Sequence, residues 1–360
     1  MSLHQLRSVT LGVPDLDPVA DYYAEFGLRR DDDRVLASVE GGNQLTLERT
    51  PKRRLAELVV GVDGEADLRR ISAALAADGH RVVASESGLS AIEPVTGVRA
   101  VLEVSPRRLE TPPAPLSRRP GSAAGRDTPP ITSPTSDPTT SPATSSTASS
   151  TTSPATSPAT SPATSSTPSP ATDPRLDRAG EGVHAGRAEA VLRDGPVRPR
   201  RLGHVVCTTT DLPATSRFFI DLLGFKVSDR IGDVGVFLRC STDHHNLLLL
   251  RARTVYVHHT AWEVADVDEV GRGASAMLAG HPERHVWGLG RHHAGANYFW
   301  YLVDPAGNYS EYYSDLDVIP EGAAWTPESH EGQRGLYNWG PPPPPTFLAP
   351  VDQAGAGSSA

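Results

Sequence analysis

The chain has 360 residues and carries 34 Lys and Arg against 43 Asp and Glu, a formal net charge of −9. This acidic balance argues against a nucleic-acid-binding protein, which would carry a basic stripe or patch. No apolar run approaches the roughly 18 residues of a membrane span, and the N-terminal stretch has no signal-peptide core. Two cysteines, Cys207 and Cys240, are too few for a disulfide framework. We therefore expect a soluble, cytoplasmic protein that binds neither nucleic acid nor membrane.

Residues 1–105 predict a first unit that is built from two rounds of one pattern. Each round runs from a strand into a helix and then into short strands, which makes a βαβββ module. The first helix has Gly27 directly behind it as a terminating residue. The predicted elements are a strand at 6–13, a helix at 18–26, a strand at 56–62 and a helix at 67–77, with short strands after each helix.

Residues 106–198 differ sharply in composition from the sequence on either side. Pro, Ser, Thr and Ala dominate this stretch, and the tetrapeptide SPAT recurs in it. Such a stretch lacks the apolar side chains that would offset its loss of conformational entropy on ordering. We therefore predict a long disordered linker, which its prolines keep extended, between two folded units.

Residues 199–320 repeat the βαβββ pattern twice. Helices are predicted at 211–223, ending at Gly224, and at 268–278. The expected fold class is therefore α+β, with four modules paired in two units. Residues 321–360 form a Pro-rich C-terminal tail with two open placements, over the mouth of a site or along a sheet edge. Its aromatic residues are Trp325, Tyr337 and Trp339.

A carboxylate among aromatic residues is the most informative feature of the second unit. The stretch 288–313 predicts a β-hairpin, and the period of two places Tyr309, Glu311 and Tyr313 on one face of its second strand. An ionised Glu among apolar neighbours is costly unless it is paired or bound to a metal ion. The residues that pair with Glu311 therefore define the candidate site.

Two other strands supply histidines at equivalent positions. An aspartate falls seven residues after His204 and seven residues after His259, and this spacing selects His259 rather than the adjacent His258. Two imidazoles and the carboxylate of Glu311, each from a separate strand, make the set that binds non-haem Fe(II) or Mn(II) with open coordination positions. The sequence therefore predicts one metal site in the second unit.

The first unit lacks this set of ligands. At the positions equivalent to the two metal-binding histidines it has Ser8 and Ala56. At the position of the carboxylate it offers Val101, or Glu103 in a shifted register. We therefore expect the first unit to be structural, shielding one side of the site or serving in assembly. A second substrate-binding cleft is the alternative.

Several segments of the second unit match the motifs of one enzyme family in order and in local context. They are RLGHVV, LLGFKVSDRI, FLRCSTDHHNLLLL, HHTAWEV, GLGRH and YFWYLVDPAGNYSEYYSDLD. In these segments the chain resembles the catalytic half of the type I extradiol ring-cleavage dioxygenases, in the vicinal oxygen chelate superfamily. The resemblance implies the vicinal oxygen chelate fold, whose paired βαβββ modules agree with the pattern above. The long linker is a departure, because the family joins its two halves by a much shorter connection.

The resemblance also implies roles for individual residues. His245 would be the catalytic acid-base, His292 would contact substrate and oxygen, and Tyr301 would donate a hydrogen bond to the substrate. His244 and His293 neighbour two of these residues and are the competing assignments. The implied metal ligands are His204, His259 and Glu311, and the apolar walls of the pocket are expected to include Phe237, Trp262, Phe299 and Trp300.

The implied activity is cleavage of the aromatic ring of a catechol-type substrate beside its diol, with O2 and Fe(II), and with Mn(II) as the other candidate ion. The implied partners are a small aromatic diol and O2, the assembly would be a homo-oligomer, and the setting would be aromatic compound catabolism. A glyoxalase, epimerase or 2-oxo-acid dioxygenase of the same superfamily would not need His245, His292 and Tyr301 together. A metal-free binding or resistance protein would need neither Glu311 nor the paired histidines.

Overall fold

The computed structural model describes residues 3–108 and 193–350. The first unit holds an eight-stranded sheet and two helices, α1 (Leu16–Glu25) and α2 (Glu65–Ala77). Its strands are β1 (Leu3–Val13), β2 (Arg29–Arg30), β3 (Val35–Ser38), β4 (Gly42–Arg49), β5 (Arg54–Val62), β6 (Val83–Ala84), β7 (Gly88–Ile92) and β8 (Arg99–Val104). They lie in the order β2-β3-β4-β1-β5-β8-β7-β6.

The second unit holds a nine-stranded sheet. Its strands are β9 (Arg201–Thr209), β10 (Lys226–Ile231), β11 (Gly235–Arg239), β12 (Leu247–Arg251), β13 (Val257–Glu263), β14 (His285–Arg291), β15 (Tyr298–Val303), β16 (Tyr309–Ser314) and β17 (Glu328–His330), in the order β14-β15-β16-β13-β9-β12-β11-β10-β17. Its helices are α3 (Leu212–Arg217, continuing as a π-helix over Phe218–Leu223), α4 (Val267–Leu278) and α5 (Pro345–Leu348), with 3-10 turns at Pro282–Arg284 and Gly332–Gly335.

The strands and helices of both units form four βαβββ modules. Strand β17 and the short C-terminal helix α5 lie outside these modules. In each sheet the first strands of two modules pair antiparallel at the centre, β1 with β5 and β9 with β13. The last strand of each module pairs parallel with its own first strand. The predicted α+β class with paired modules is therefore confirmed. In the second sheet this topology places β9, β13 and β16 side by side.

The seven-residue spacing between histidine and aspartate marks the start of a helix. Asp211 is the N-cap of α3 and accepts a hydrogen bond from the backbone N of Ala214 at 3.0 Å. Asp266 is the N-cap of α4 and accepts from the backbone N of Glu269 at 3.1 Å. Both carboxylates satisfy amide groups that have no partner inside the helix. At its other end α3 closes at Gly224 with φ of 96°, as the sequence predicts.

The same count corrects the sequence register in the first unit. Helix α2 begins after Gly64, which is its N-cap. Seven residues before Gly64 lies Glu57, so Glu57, rather than Ala56, is the counterpart of His259. The one-residue error arose because Asp63 was counted as the helix start. A shift of one residue along a strand moves the side chain to the opposite face of the sheet, so the error matters for the comparison of the two units.

Helix α1 of the first unit packs against the back of the second sheet. The Tyr22 hydroxyl lies 2.6 Å from Oγ of Ser310, and the ring of Phe26 stacks on that of Tyr312 with centroids 3.8 Å apart. The Tyr312 hydroxyl also donates to the Phe26 carbonyl at 2.6 Å. Ser310 and Tyr312 alternate with Glu311 along β16, so they face away from it. The first unit thus supports the strand that carries the predicted carboxylate ligand.

The C-terminal tail lies along the sheet edge and also reaches the cavity, but with residues other than its three predicted aromatic side chains. Strand β17 pairs parallel with β10 at the edge of the second sheet, and Trp325 donates from its indole to a backbone carbonyl of β10 at 2.7 Å. Farther along, Leu336 and Phe347 line the cavity described below. Trp339 remains 45% exposed. The tail is therefore both an edge strand and a wall of the candidate site.

Most of the predicted linker, residues 109–192, and the last residues, 351–360, lie outside the described ranges. At the end of the linker Val197 is buried, and Arg193 forms an ion pair with Asp266 beside the start of α4. Among the described residues no helix is long and apolar enough to cross a membrane. Both cysteines are buried thiols without a disulfide partner.

Candidate metal centre

Three neighbouring strands carry the predicted metal ligands. His204 lies on β9, His259 on β13 and Glu311 on β16. Ala261 of β13 is the strand partner of both His204 and Glu311. His259 precedes Ala261 by two residues and therefore lies on the same face. The three side chains converge around Ala261, whose methyl group leaves space between them.

The spacing of the three side chains fits a shared ion. Their ligand atoms all lie within 4.8 Å of one another. Nε2 of His204 is 3.2 Å from Oε2 of Glu311, and Nε2 of His259 is 3.4 Å from that oxygen and 3.4 Å from Nε2 of His204. Atoms bound about 2.1 Å from one ion at octahedral or tetrahedral angles are separated by ~3.0–3.4 Å. All three residues are buried, so a divalent cation would compensate a carboxylate that water does not reach.

The second carboxylate oxygen of Glu311 is held by an amide. Nδ2 of Asn297 donates to Oε1 at 3.0 Å, and Nε2 of His292 lies 3.8 Å from the same oxygen. This contact orients the carboxylate so that Oε2 faces the two histidines. Sequence reasoning missed Asn297, because it lies in the loop between β14 and β15 and no spacing rule points to it.

His245 lies beside the centre, just before β12. Its ring centroid is 4.2 Å from that of His204 and 5.0 Å from that of Phe237. Burial lowers the pKa of His245 well below its ordinary value, and the neighbouring His204 and His244 act in the same direction. A neutral imidazole at this position is able to accept a proton.

His292 and Tyr301 form a hydrogen-bonded pair at the centre. Nε2 of His292 lies 2.8 Å from the Tyr301 hydroxyl. Tyr301 is the strand partner of Glu311, and its ring centroid is 5.1 Å from that of His259. Burial lowers the pKa of His292 and raises the pKa of Tyr301 well above its ordinary range. The phenol therefore keeps its proton and is the donor of the pair.

A cavity of about 260 Å³ reaches this cluster of polar side chains. Its walls are apolar, and no Asp, Glu, Lys or Arg is among the described residues that line it. Leu336, Phe347 and Leu348 of the C-terminal tail contribute to the wall, which sequence reasoning did not specify. The site can therefore accept a small apolar molecule with a polar end directed at the histidines. Other apolar lining residues are Ile231, Val234, Phe237, Leu248 and Leu250.

Three of the four predicted pocket walls are corrected by the structure. Phe237 lines the cavity, whereas Trp262 and Trp300 pack into the core on the opposite face of the sheet. Each tryptophan is one residue out of phase with an inward-facing neighbour, and strand side chains alternate between faces. Phe299 lies on the correct face, but it stacks against His292 with centroids 4.1 Å apart and does not line the cavity.

The competing histidines lie apart from the cluster of ligand atoms. His244 sits behind His245, with 3.1 Å between their Nδ1 atoms, and does not line the cavity. His293 does not line it either. His258 lines the cavity, but its Nε2 lies 2.5 Å from the carbonyl oxygen of Phe347. The geometry thus brings together the six polar residues that the sequence singled out.

The sequence of the second unit matches a known superfamily. Residues 201–312, which span β9 to most of β16, match the profile of the Glyoxalase/Bleomycin resistance protein/Dioxygenase superfamily. The second unit is therefore similar in sequence to members of that superfamily, and the chain is similar to the type I extradiol dioxygenases.

Two curated relatives and one solved structure carry this similarity. Metapyrocatechase 2 of Cupriavidus necator is 43% identical over 173 residues, covering 47% of this chain and 53% of that protein. The manganese-dependent 2,3-dihydroxybiphenyl 1,2-dioxygenase of Geobacillus genomosp. 3 is 27% identical over 157 residues, covering 40% of this chain and 50% of that protein. The alignments thus span about half the length of these relatives. The 2,2',3-trihydroxybiphenyl 1,2-dioxygenase structure from Sphingomonas wittichii strain RW1 superposes with a TM-score of 0.59 at 19% identity, over 94% of this chain and 99% of that chain, which supports the fold.

Proposed function

We propose that this chain is an extradiol ring-cleavage dioxygenase that acts on an aromatic diol with O2 and a divalent metal ion. The observation that carries the proposal is that the three predicted metal ligands converge beside an apolar cavity whose lining includes the three polar groups that the sequence assigned to catalysis. Those groups are His245, His292 and Tyr301. A glyoxalase or an epimerase would have no use for all three of them.

His204, His259 and Glu311 would hold Fe(II), with Mn(II) as the second candidate because the same ligand set suits both ions. One similar protein is manganese-dependent by name. When bound, the ion would supply open coordination positions and favour the ionisation of a substrate hydroxyl. Metal analysis of the purified protein distinguishes the two ions.

The surrounding residues would bind the diol and move its proton. His245 would accept the proton of the second hydroxyl at its ring nitrogen that faces the cavity, since burial keeps this imidazole neutral. With the diol bound, Tyr301 would turn its single O–H from Nε2 of His292, 2.8 Å away, to a substrate oxygen, and Nε2 of His292 would then be free to contact the substrate. The apolar walls would exclude water from the ring that is being opened.

The lining of the cavity favours an uncharged diol. A substrate carboxylate would enter a cavity where none of the described lining residues is Lys or Arg, and an unpaired buried charge is costly. Aromatic rings are better matched, because Phe237 and Phe347 lie on the wall. We therefore expect catechols with alkyl or aryl substituents to be preferred over catechols with acidic side chains.

The organisation of the chain belongs to the same proposal. Residues 1–105 would be the structural unit, 106–198 the linker, 199–320 the catalytic unit and 321–360 the tail. On the face of the first sheet that corresponds to the metal centre, cross-strand ion pairs join Arg7 to Glu103 and Arg99 to Glu57. This supports a structural role for the first unit over a second cleft. A homo-oligomer in the cytoplasm stays a prediction, which sedimentation and fractionation would test.

The decisive experiment measures oxygen uptake by anaerobically metal-loaded protein with catechol, 3-methylcatechol and 3,4-dihydroxyphenylacetate, with metal analysis of the same sample. We expect O2 to be consumed in equal amount to a yellow ring-opened product, fastest with the uncharged diols. Conversion of a hemithioacetal without O2 uptake would instead identify a glyoxalase. Diol binding without any turnover would identify a binding protein.

A further inference from the structure

Two pairs of adjacent histidines reach the site in the same way. In the pairs His244-His245 and His258-His259 the two Nδ1 atoms face each other, at 3.1 Å and 2.8 Å. In both pairs Nε2 of the first histidine meets an oxygen acceptor elsewhere in the protein. All four rings are buried, and within each pair the two Nδ1 atoms are hydrogen-bond partners of each other. The position of each proton is therefore set by the chain itself.

The pair at 258–259 determines the protonation pattern of a predicted metal ligand. The carbonyl oxygen of Phe347 can only accept, so Nε2 of His258, 2.5 Å away, carries a proton and donates it. A neutral His258 then has its lone pair at Nδ1, which accepts from the Nδ1 proton of His259. This leaves the lone pair of His259 at Nε2. That atom lies 3.4 Å from Oε2 of Glu311, in the cluster of predicted ligand atoms.

The pair His244-His245 has the same arrangement of hydrogen bonds, but the acceptor for the first histidine is a carboxylate. Oδ2 of Asp229 lies 3.2 Å from Nε2 of His244 and 2.9 Å from Nε2 of His330, while Oδ1 accepts from the backbone N of Glu328 at 2.8 Å. An ionised carboxylate only accepts, so Nε2 of His244 carries a proton, and in the neutral imidazole Nδ1 then accepts from Nδ1 of His245. The lone pair of His245 is thereby left at Nε2.

We propose that His244 and His258 are positioning residues, each of which fixes the tautomer of the histidine that follows it. The arrangement keeps a lone pair on Nε2 of His259 for the metal ion and on Nε2 of His245 for the substrate proton. The statement about His259 requires only metal binding, whereas the statement about His245 rests on the proposed function. Because the Phe347 carbonyl and His330 belong to the C-terminal tail, the tail also helps to orient both histidines. Hydrogen-bond partners of this kind commonly set the orientation of histidines that bind metal.

The variants His258→Asn and His258→Gln, made in the full-length protein, each keep only one of the two hydrogen bonds of His258. The amide of His258→Asn lies near the former Nδ1 and retains an acceptor for His259. The amide of His258→Gln lies near the former Nε2, so it keeps the donor to Phe347 but loses that acceptor. We expect Mn(II) affinity to fall by about 10–100-fold in His258→Gln and to stay close to that of the unaltered protein in His258→Asn. Chelator competition without substrate measures the affinity.

Melting temperatures of the metal-free variants verify that both are folded. Unchanged affinity in His258→Gln would overturn the proposal. An equal loss of affinity in the two variants would also overturn it, because packing rather than the acceptor would then be responsible.

The same pair of substitutions at His244 addresses catalysis. We expect His244→Gln to lower kcat by about 10–100-fold, with Mn(II) affinity and the KM for the diol unchanged, and His244→Asn to retain most of kcat. A purely structural role would alter affinity or KM as well, or would affect both variants alike, and either result contradicts the assignment. If no diol is turned over by the unaltered protein, the proposed function fails. The tautomer proposal is then decided by the metal affinities of the His258 variants.

Discussion

The two sheets have the same topology, but they carry very different side chains at the position that corresponds to the predicted metal centre. In the second unit Ala261 pairs across the sheet with two of the predicted metal ligands. In the first unit Val59 occupies that place and pairs with Ser8 and Val101. Glu57 stands where the second unit has its other histidine. The framework is therefore shared, and three side chains determine whether it can hold an ion.

Charge on this face is neutralised differently in the two units. In the first unit Glu57 forms an ion pair with Arg99 on the neighbouring strand, and Arg7 lies 2.8 Å from Glu103. Burial raises the pKa of Glu57, while the charge of Arg99 opposes that rise. In the second unit Glu311 is fully buried and has no Lys or Arg partner among its described contacts. A divalent ion is the neutralising charge that this comparison predicts.

Glu311→Ala should give the largest effect. With one of three ligands gone, we expect metal affinity to fall by well over ~100-fold, beyond the usual effect of losing a supporting residue, and oxygen uptake to be lost. Glu57→Ala, which removes a carboxylate from the corresponding face of the first sheet, should leave metal content and turnover unchanged. Metal analysis and oxygen uptake measure both variants. Retention of the ion by Glu311→Ala would assign another function to this carboxylate.

His245→Asn should separate chemistry from binding. The variant keeps all three predicted metal ligands, so we expect normal metal content and near-normal diol binding. Loss of the imidazole that accepts the proton should slow ring opening by about 10²–10⁴-fold. Single-turnover absorbance of the product, with metal analysis of the same sample, checks both statements. A parallel loss of metal would place His245 among the ligands.

Much of this site could be predicted because strand alternation and helix starts are local properties. The period of two correctly placed Tyr301 and Glu311 on inward-facing sides of their strands, and they prove to be direct strand partners. The spacing to an aspartate worked because Asp211 and Asp266 are helix N-caps. The spacing was wrong by one residue at Ala56. The N-cap of the helix that follows this strand is Gly64, which has no side-chain oxygen to mark the helix start in the sequence.

Other features depended on contacts between distant parts of the chain. Trp262 and Trp300 were expected in the pocket, but each lies one residue from an inward-facing neighbour and therefore packs into the core on the other face of its strand. Asn297 reaches Glu311 from a loop, and Phe347 reaches the cavity from the tail. No periodicity records such contacts.

Phe26→Ala should weaken the support that the first unit gives to the second. The ring of Phe26 is fully buried and stacks on Tyr312, directly behind the strand of Glu311. Removal of a buried Phe side chain typically costs about 3–5 kcal/mol of unfolding free energy. Urea unfolding of the metal-free protein measures this, with Ile92→Ala, at an edge position that is 60% exposed, as the control. A small change at Phe26 would mean that the two units are only loosely coupled.

The smallest expected difference concerns two helix starts whose aspartates, Asp211 and Asp15, fall seven residues after His204 and Ser8. Asp211→Ala removes the 3.0 Å hydrogen bond to Ala214 at the start of α3 and should cost about 1 kcal/mol. Asp15→Ala removes no side-chain cap, because Asp15 makes none at the start of α1, and should be nearly neutral. Urea midpoints of the metal-free variants, compared at equal m-values, give the difference. Equal costs would mean that the hydrogen bond from Ala214 to Asp211 does not stabilise the start of α3.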